Sequence, residues 1–340
     1  MKGGDNLVKK VKIKASLSAF IIIITSIFSS IYINAAEKSV IIGGEAFGLK
    51  LYCKGVLVTR LESFEGKDGE TCPAKDAGLK SNDIITKVNG VTVKTNDELS
   101  REINKSKGKE TELEIIRNDC YKTVTIKPEK SSDERYYTGI WVRDSCAGIG
   151  TISYYDPENM TYGALGHGIC DIDTGSIMES DNGEIVSADI TSVTKSENNN
   201  IGTLNGYFSG TGIGRLTENT PIGVYGSLSI IPEKSEVYPV ASKEEVKTGK
   251  AELYTTVYGS KPKEYEIEIT QINNDYKNSN KNLIIKITDE ELLNAAGGIV
   301  QGMSGSPIIQ NGKFAGALTH VFLDDCQSGY AILAENLVKG

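Results

Sequence analysis

Histidine is nearly absent from this chain, with only His167 and His320 among 340 residues. That scarcity, with six cysteines that form no Cys-x-x-Cys pair, removes the usual spacings of a zinc finger or a thioredoxin-like redox motif, so neither a metal site nor any cofactor is expected. No basic cluster follows the N-terminus and the formal net charge is −8, which argues against a nucleic-acid footprint. No internal repeat is present. Proline is sparse, 8 residues against 36 glycines, a balance that favours tight turns and short strands over long helices. With 39% hydrophobic and 24% charged residues the composition is that of a globular chain, and its length accommodates two domains of ordinary size.

What is present begins with five lysines, Lys2, Lys9, Lys10, Lys12 and Lys14, followed by an uncharged stretch from Ala15 to Ala36 centred on Phe20-Ile21-Ile22-Ile23-Ile24. A basic flank before an apolar run is a secretory signal peptide or a signal-anchor, and residues 1–36 are assigned to one of the two. The small residues of Asn34-Ala35-Ala36 offer a cleavage site. The lysines stay cytoplasmic and Glu37 onward is expected outside, with residues 15–36 in the membrane. An even cysteine count in such a chain permits disulfides without implying them.

Residues 37–130 read as short strands around one helix. Gly55-Val56-Leu57-Val58-Thr59 and Asp83-Ile84-Ile85-Thr86-Lys87-Val88 are strands, and Asn89-Gly90 is a turn. Asn96-Asp97 opens a helix that Gly108 stops, and a hairpin folds around Asn118-Asp119. At Ala77-Gly78-Leu79-Lys80-Ser81-Asn82-Asp83-Ile84-Ile85 and Val88-Asn89-Gly90 the segment resembles a PDZ domain, with Asn82 where bacterial members usually carry glycine. The resemblance implies that Phe47, Gly48 and Leu49 lie where the peptide-binding loop would be. It also implies an extended peptide added as a strand, either a partner's or the chain's own N-terminal segment.

A polar linker, 131–136, leads into a second region, 137–340, again of strands and turns. Its sharpest feature is Gly302-Met303-Ser304-Gly305-Ser306-Pro307-Ile308-Ile309, followed by Gly312-Lys313-Phe314-Ala315-Gly316. A serine set between glycines, then proline and a strand, is the pattern around the nucleophile of chymotrypsin-like peptidases. The glycines let backbone amides converge on an oxyanion, and Gly302 and Ser304 are the expected donors. A serine hydroxyl needs a base. His167, in Ala164-Leu165-Gly166-His167-Gly168, precedes the serine as chymotrypsin-like order requires. His320, sixteen residues after the serine, is expected on a strand walling the substrate pocket. The residue that orients the histidine stays open among Asp171, Asp173, Asp189, Asp275 and Asp289. Asp171-Ile172-Asp173 lacks the spaced ligands of a calcium loop.

The run from Ile287-Thr288-Asp289 through Gly297-Gly298-Ile299-Val300-Gln301-Gly302-Met303-Ser304 to Lys313, with Gly163-Ala164-Leu165-Gly166-His167 and the order anchor, PDZ, peptidase, resembles the stage IV sporulation protein B (SpoIVB) serine peptidases. Gly168 and Cys170 depart from what is expected beside the histidine. The resemblance implies a triad of His167, Asp289 and Ser304, and a mainly β protein in which a PDZ domain precedes a chymotrypsin-like double-β-barrel peptidase. It further implies export from a forespore, residence in the intermembrane space, anchored or released, and self-cleavage. The expected substrate is a membrane-bound regulator of an intramembrane protease, upstream of pro-sigma-K processing. An HtrA-like peptidase is disfavoured because its PDZ domains follow the catalytic domain. Two competing readings are a paralogue that acts on another substrate and a non-catalytic PDZ scaffold.

Overall fold

The computed structural model describes residues 38–231, 236–273 and 280–339, so the expected membrane segment 15–36 lies outside the described residues. Among those described, no helix is long and apolar enough to cross a membrane.

Strand β1 (Ala46–Leu61) is 16 residues long and serves two cores through its period of two. Phe47, Leu49, Leu51, Cys53 and Leu57 enter one hydrophobic cluster, while Val56 and Val58 enter another from the opposite face. β2 (Ile84–Val88) pairs with β1 in the same sheet, β3 (Thr111–Arg117) and β4 (Cys120–Ile126) extend it, and helix α1 (Asn96–Lys105) packs Leu99 and Ile103 with Val56 and Val58. Thr95 caps α1 by accepting from the Glu98 amide at 3.2 Å. The β3–β4 turn is two residues, Asn118 and Asp119, both at positive φ, as a tight hairpin requires. Asn82, in place of the usual glycine, has φ +72°, a conformation asparagine tolerates better than most residues.

Strand β5 (Ile140–Asp156) returns antiparallel along β1, with Ile140 opposite Leu61 and Thr151 opposite Ala46. It pairs onward to β6 (Thr161–Ala164), while β7 (Ser180–Thr194), β8 (Thr203–Thr220) and β9 (Gly223–Leu228) complete a ring. The pairings run β1-β5-β6-β9-β8-β7 and back to β1, a closed six-stranded barrel. A second closed barrel follows, built from β10 (Gly249–Thr255), β11 (Lys263–Ile272), β12 (Leu283–Ile287), β13 (Pro307–Gln310), β14 (Lys313–Val321) and β15 (Ser328–Leu333). Alternation is cleanest in β11, where Tyr265, Ile267 and Ile269 point inward and Glu264, Glu266 and Glu268 outward. Helix α2 (Glu290–Ala296) closes one side through Leu292 and Ala296. The fold is therefore mainly β, a PDZ domain with a double-barrel peptidase domain.

The boundary between the two is not where composition puts it. β1 and β5 are neighbouring strands of one barrel, and residues 62–139 are the connection between them. The first half of β1, expected within a PDZ domain of 37–130, is barrel wall, because its odd-numbered side chains bury in the barrel core. The expected linker 131–136 is mostly a turn, with Lys130 opposite Tyr136 in a short hairpin.

Candidate active site

Ser304 sits in the turn before β13. Gly302 and Gly305 have φ +102° and +99°, and a Cβ on Gly305 would lie 2.0 Å from the Thr151 carbonyl, so only glycine fits that position. Within the turn the amides of Met303, Gly305 and Ser306 are bonded to Val300, Leu318 and Met303 carbonyls. The amides of Gly302 and Ser304 have no acceptor among the described residues. Both residues line a cleft of about 560 Å³ that also contains His167 and His320. From β5 of the other barrel, Thr151 holds this turn. Its amide donates to Ser304 O at 3.0 Å and its hydroxyl to Gly302 O at 2.8 Å. The Thr151 carbonyl accepts from the Leu165 amide, two residues before His167.

His167 follows β6 through a γ-turn in which the Gly166 amide donates to Ala164 O around Leu165 at φ +66°, a strained setting for a leucine. The ring Nδ1 lies 2.8 Å from Gly168 O. A carbonyl only accepts, so Nδ1 carries the proton and Nε2 keeps a lone pair. Burial pushes the imidazole below its ordinary value of 6.5, and the Gly168 bond opposes part of that shift. The His320 ring stands 5.0 Å away, tilted by 40°. Burial first, then the charges of His167 and Lys281, push His320 down to about 4. Its Nδ1 is buried without a partner among the described residues. The Ser304 hydroxyl donates to Thr319 O at 2.9 Å.

The structure thus brings together His167, Ser304, Gly302 and His320, and leaves Asp289 out. Asp289 is the N-cap of α2, its Oδ1 accepting from the Leu292 amide at 2.9 Å and its Oδ2 from the Glu266 amide at 3.4 Å. Among the described residues His167 Nδ1 meets Gly168 O, and no hydrogen bond joins it to Asp289. Asp171 and Asp173 instead pair with Arg143 on β5, at 2.5 and 2.6 Å. Cys170 and Cys146 line the cleft as free thiols.

The expected peptide-binding loop is also elsewhere. Phe47, Gly48 and Leu49 are hydrogen-bonded strand residues between β5 and β7, so their amides are spent in the barrel, and Leu49 reaches the catalytic cleft instead. The open edge lies at the start of β5. There Ile140 to Arg143 pair on one side only, with β1, among the described residues. The other side faces α1 across a groove of about 470 Å³ lined by Leu99, Ile103, Thr138, Ile140 and Val142. A free strand edge beside a helix is the geometry that accepts an extended peptide. Tyr137-Thr138-Gly139-Ile140 carried no signal because it sits past the PDZ-like stretch in sequence.

Residues 134–338 match the family model described as SpoIVB peptidase S55, and residues 69–127 match that of the PDZ domain. The chain is 42% identical over 71 residues to the zinc metalloprotease RasP of Shouchella clausii, covering 21% of this chain and 16% of that protein. It is 28% identical over 113 residues to a Clostridium acetobutylicum protein, covering 31% and 32%. It therefore spans about a third or less of the length of these curated relatives. Among solved structures it is similar to the Rv3671c protease of M. tuberculosis. The active form is 16% identical over 56% of this chain and 71% of that one, with a TM-score of 0.32. The inactive form is 15% identical over 56% and 80%, again with a TM-score of 0.32.

Proposed function

The chain belongs to the SpoIVB peptidase S55 family, and from that premise we propose that Ser304 attacks the scissile carbonyl while His167 takes its proton. The Gly302 and Ser304 amides hold the oxyanion, and water then releases the acyl-enzyme. One observation carries this reading: a serine, a histidine with a free Nε2 lone pair and two unengaged amides share one cleft. To react, the Ser304 hydroxyl leaves Thr319 O for His167, a rearrangement of the kind apo active sites commonly need.

The substrate is a protein or peptide; among the described residues no charged side chain lines the cleft, which favours uncharged residues around the scissile bond. In keeping with the family's name, the target is a membrane-associated regulator in sporulation signalling that leads to pro-sigma-K processing. The chain cuts itself as well. It acts outside the cytoplasm, exported and either tethered or released, and the groove between α1 and β5 presents the substrate or a regulatory peptide.

The test is exposure of the purified full chain and Ser304→Ala to a fluorophosphonate, with intact mass and N-terminal sequencing. Labelling and self-cleavage are expected in wild type alone. Equal behaviour of the two proteins would remove Ser304 from the chemistry.

A further inference from the structure

Strand β5 lines both the groove beside α1, through Ile140 and Val142, and the catalytic cleft, through Cys146 to Gly150. We propose that a single extended substrate segment pairs with β5 along this whole length, so that the residues after the scissile bond run on into the groove. The proposal rests on the peptidase reading of the cleft, and it commits the groove to the substrate's own chain.

On one side β5 pairs with β1 from Ile140 to Thr151, but on the other it meets β6 only from Ile152. None of Ile140 to Ile149 is buried, whereas every residue from Gly150 to Asp156 except Gly150's neighbour before it is covered. In an antiparallel strand the N–H and C=O of one residue point to the same side, and successive residues alternate. The Thr151 amide donates to Ser304 O and its carbonyl accepts from Leu165, while the Ile152 amide donates to Glu45 O on the β1 side. The register is unbroken from Ser145 to Thr151, so Ser145, Ala147 and Ile149 point their backbone groups as Thr151 does, toward the cleft. Nearer the groove, Gly139 O accepts from the Glu62 amide and Trp141 O from the Thr59 hydroxyl, both on the β1 side. Ile140 and Val142 therefore face the groove. The irregularity between Arg143 and Ser145 moves the outward set from even to odd positions, and the free edge continues across it. Among the described residues no backbone hydrogen bond reaches this side of β5 before Thr151.

Direction follows from the sheet. Both barrel pairings of β5 are antiparallel, the more stable arrangement per residue. β5 runs from groove to cleft, so an antiparallel substrate runs from cleft to groove. Its residues C-terminal to the cut lie along Ile149, Ala147 and Ser145, then Val142 and Ile140. From Ile149 back to Val142 is about 24 Å at ~3.4 Å per residue. An apolar side chain roughly seven to ten residues after the cut thus meets Leu99, Ile103 and Val142 in the groove. Specificity then belongs to two positions a fixed distance apart, and binding energy gained in the groove is available to the chemistry at Ser304.

Hydrogen exchange on the full-length Ser304→Ala protein, with reduced and carboxymethylated α-lactalbumin as an unfolded probe, tests docking without cleavage. Exchange is expected to slow in both stretches, 140–143 and 145–150, at the same probe concentration. Protection of one stretch alone, or of neither, overturns the proposal. With wild type, cuts in the same probe are mapped by mass spectrometry and one cleaved segment is synthesised in two lengths. The form ending about four residues after the cut should lose roughly tenfold or more in kcat/KM against the form ending about twelve after it. Ser100→Tyr, at an exposed α1 position on the groove, should bring the longer peptide down toward the rate of the shorter. Equal rates for the two lengths in wild type, or an unchanged ratio in the folded variant, also overturns the proposal. Failure of wild type either to cut or to label with fluorophosphonate would instead sink the assignment of Ser304, and the exchange result would still decide the docking.

Discussion

At the scale of single residues, His167 and His320 set the response to acid. Both are pushed below the ordinary imidazole value of 6.5, His320 to about 4. With His167 as the proposed base, which acts only when neutral, the labelling rate of Ser304 should rise with pH through a midpoint below 6.5. A midpoint above that value would contradict the buried, peptide-bonded imidazole. Stability carries the same sign. Between the folded values and 6.5 the unfolded chain binds more protons than the native one. The histidine contribution is therefore fully present above 6.5 and is lost as pH falls toward about 4. Ser304 and His167 stood out in the sequence because a glycine-flanked histidine followed by a serine set between glycines has few other uses. Their support was not legible. Thr151 reaches Gly302 from a strand far away in sequence, and the Gly168 carbonyl is a backbone atom that any residue would carry, so neither shows in a residue pattern.

At the scale of elements, Asp289 belongs to helix α2. Its oxygens satisfy two backbone amides, and Gly297 at φ +75° ends the helix in the left-handed conformation. Asp289→Ala is expected to lower stability by about 1 kcal/mol, the usual cost of a lost N-cap, whereas Asn keeps the cap. Thermal unfolding of both variants beside their labelling rates checks this. A folded Asp289→Asn protein that loses most of its rate would return Asp289 to the chemistry. The strands themselves were partly legible. Asn118-Asp119 announced its hairpin, but Gly55 read as the start of a strand where β1 in fact runs straight through. Gly55 marks a close approach, since a Cβ there would meet Ile85 O at 2.4 Å.

At the scale of the whole molecule, the two barrels and the PDZ domain were expected, but not their interleaving, because strand pairing between residues 46–61 and 140–151 leaves no trace in local pattern. The PDZ core borrows Val56 and Val58 from β1, with Ile140 and Val142 of β5 packed against it. A fully buried valine contributes about 1.5–3 kcal/mol, so losing these two alone removes about 3–6 kcal/mol. That is comparable with the total stability of a small domain, about 5–15 kcal/mol. A fragment of residues 62–139 should therefore be unfolded by circular dichroism, and one of residues 54–144 folded. A folded 62–139 fragment would show the borrowed strands to be dispensable. The same hairpin has a genetic corollary. A peptide-docking module that occupies the connection between two adjacent barrel strands cannot be acquired by end-to-end gene fusion. It has to enter within the peptidase reading frame, so a join placed near codon 130 would split one barrel's coding sequence and not separate two domains.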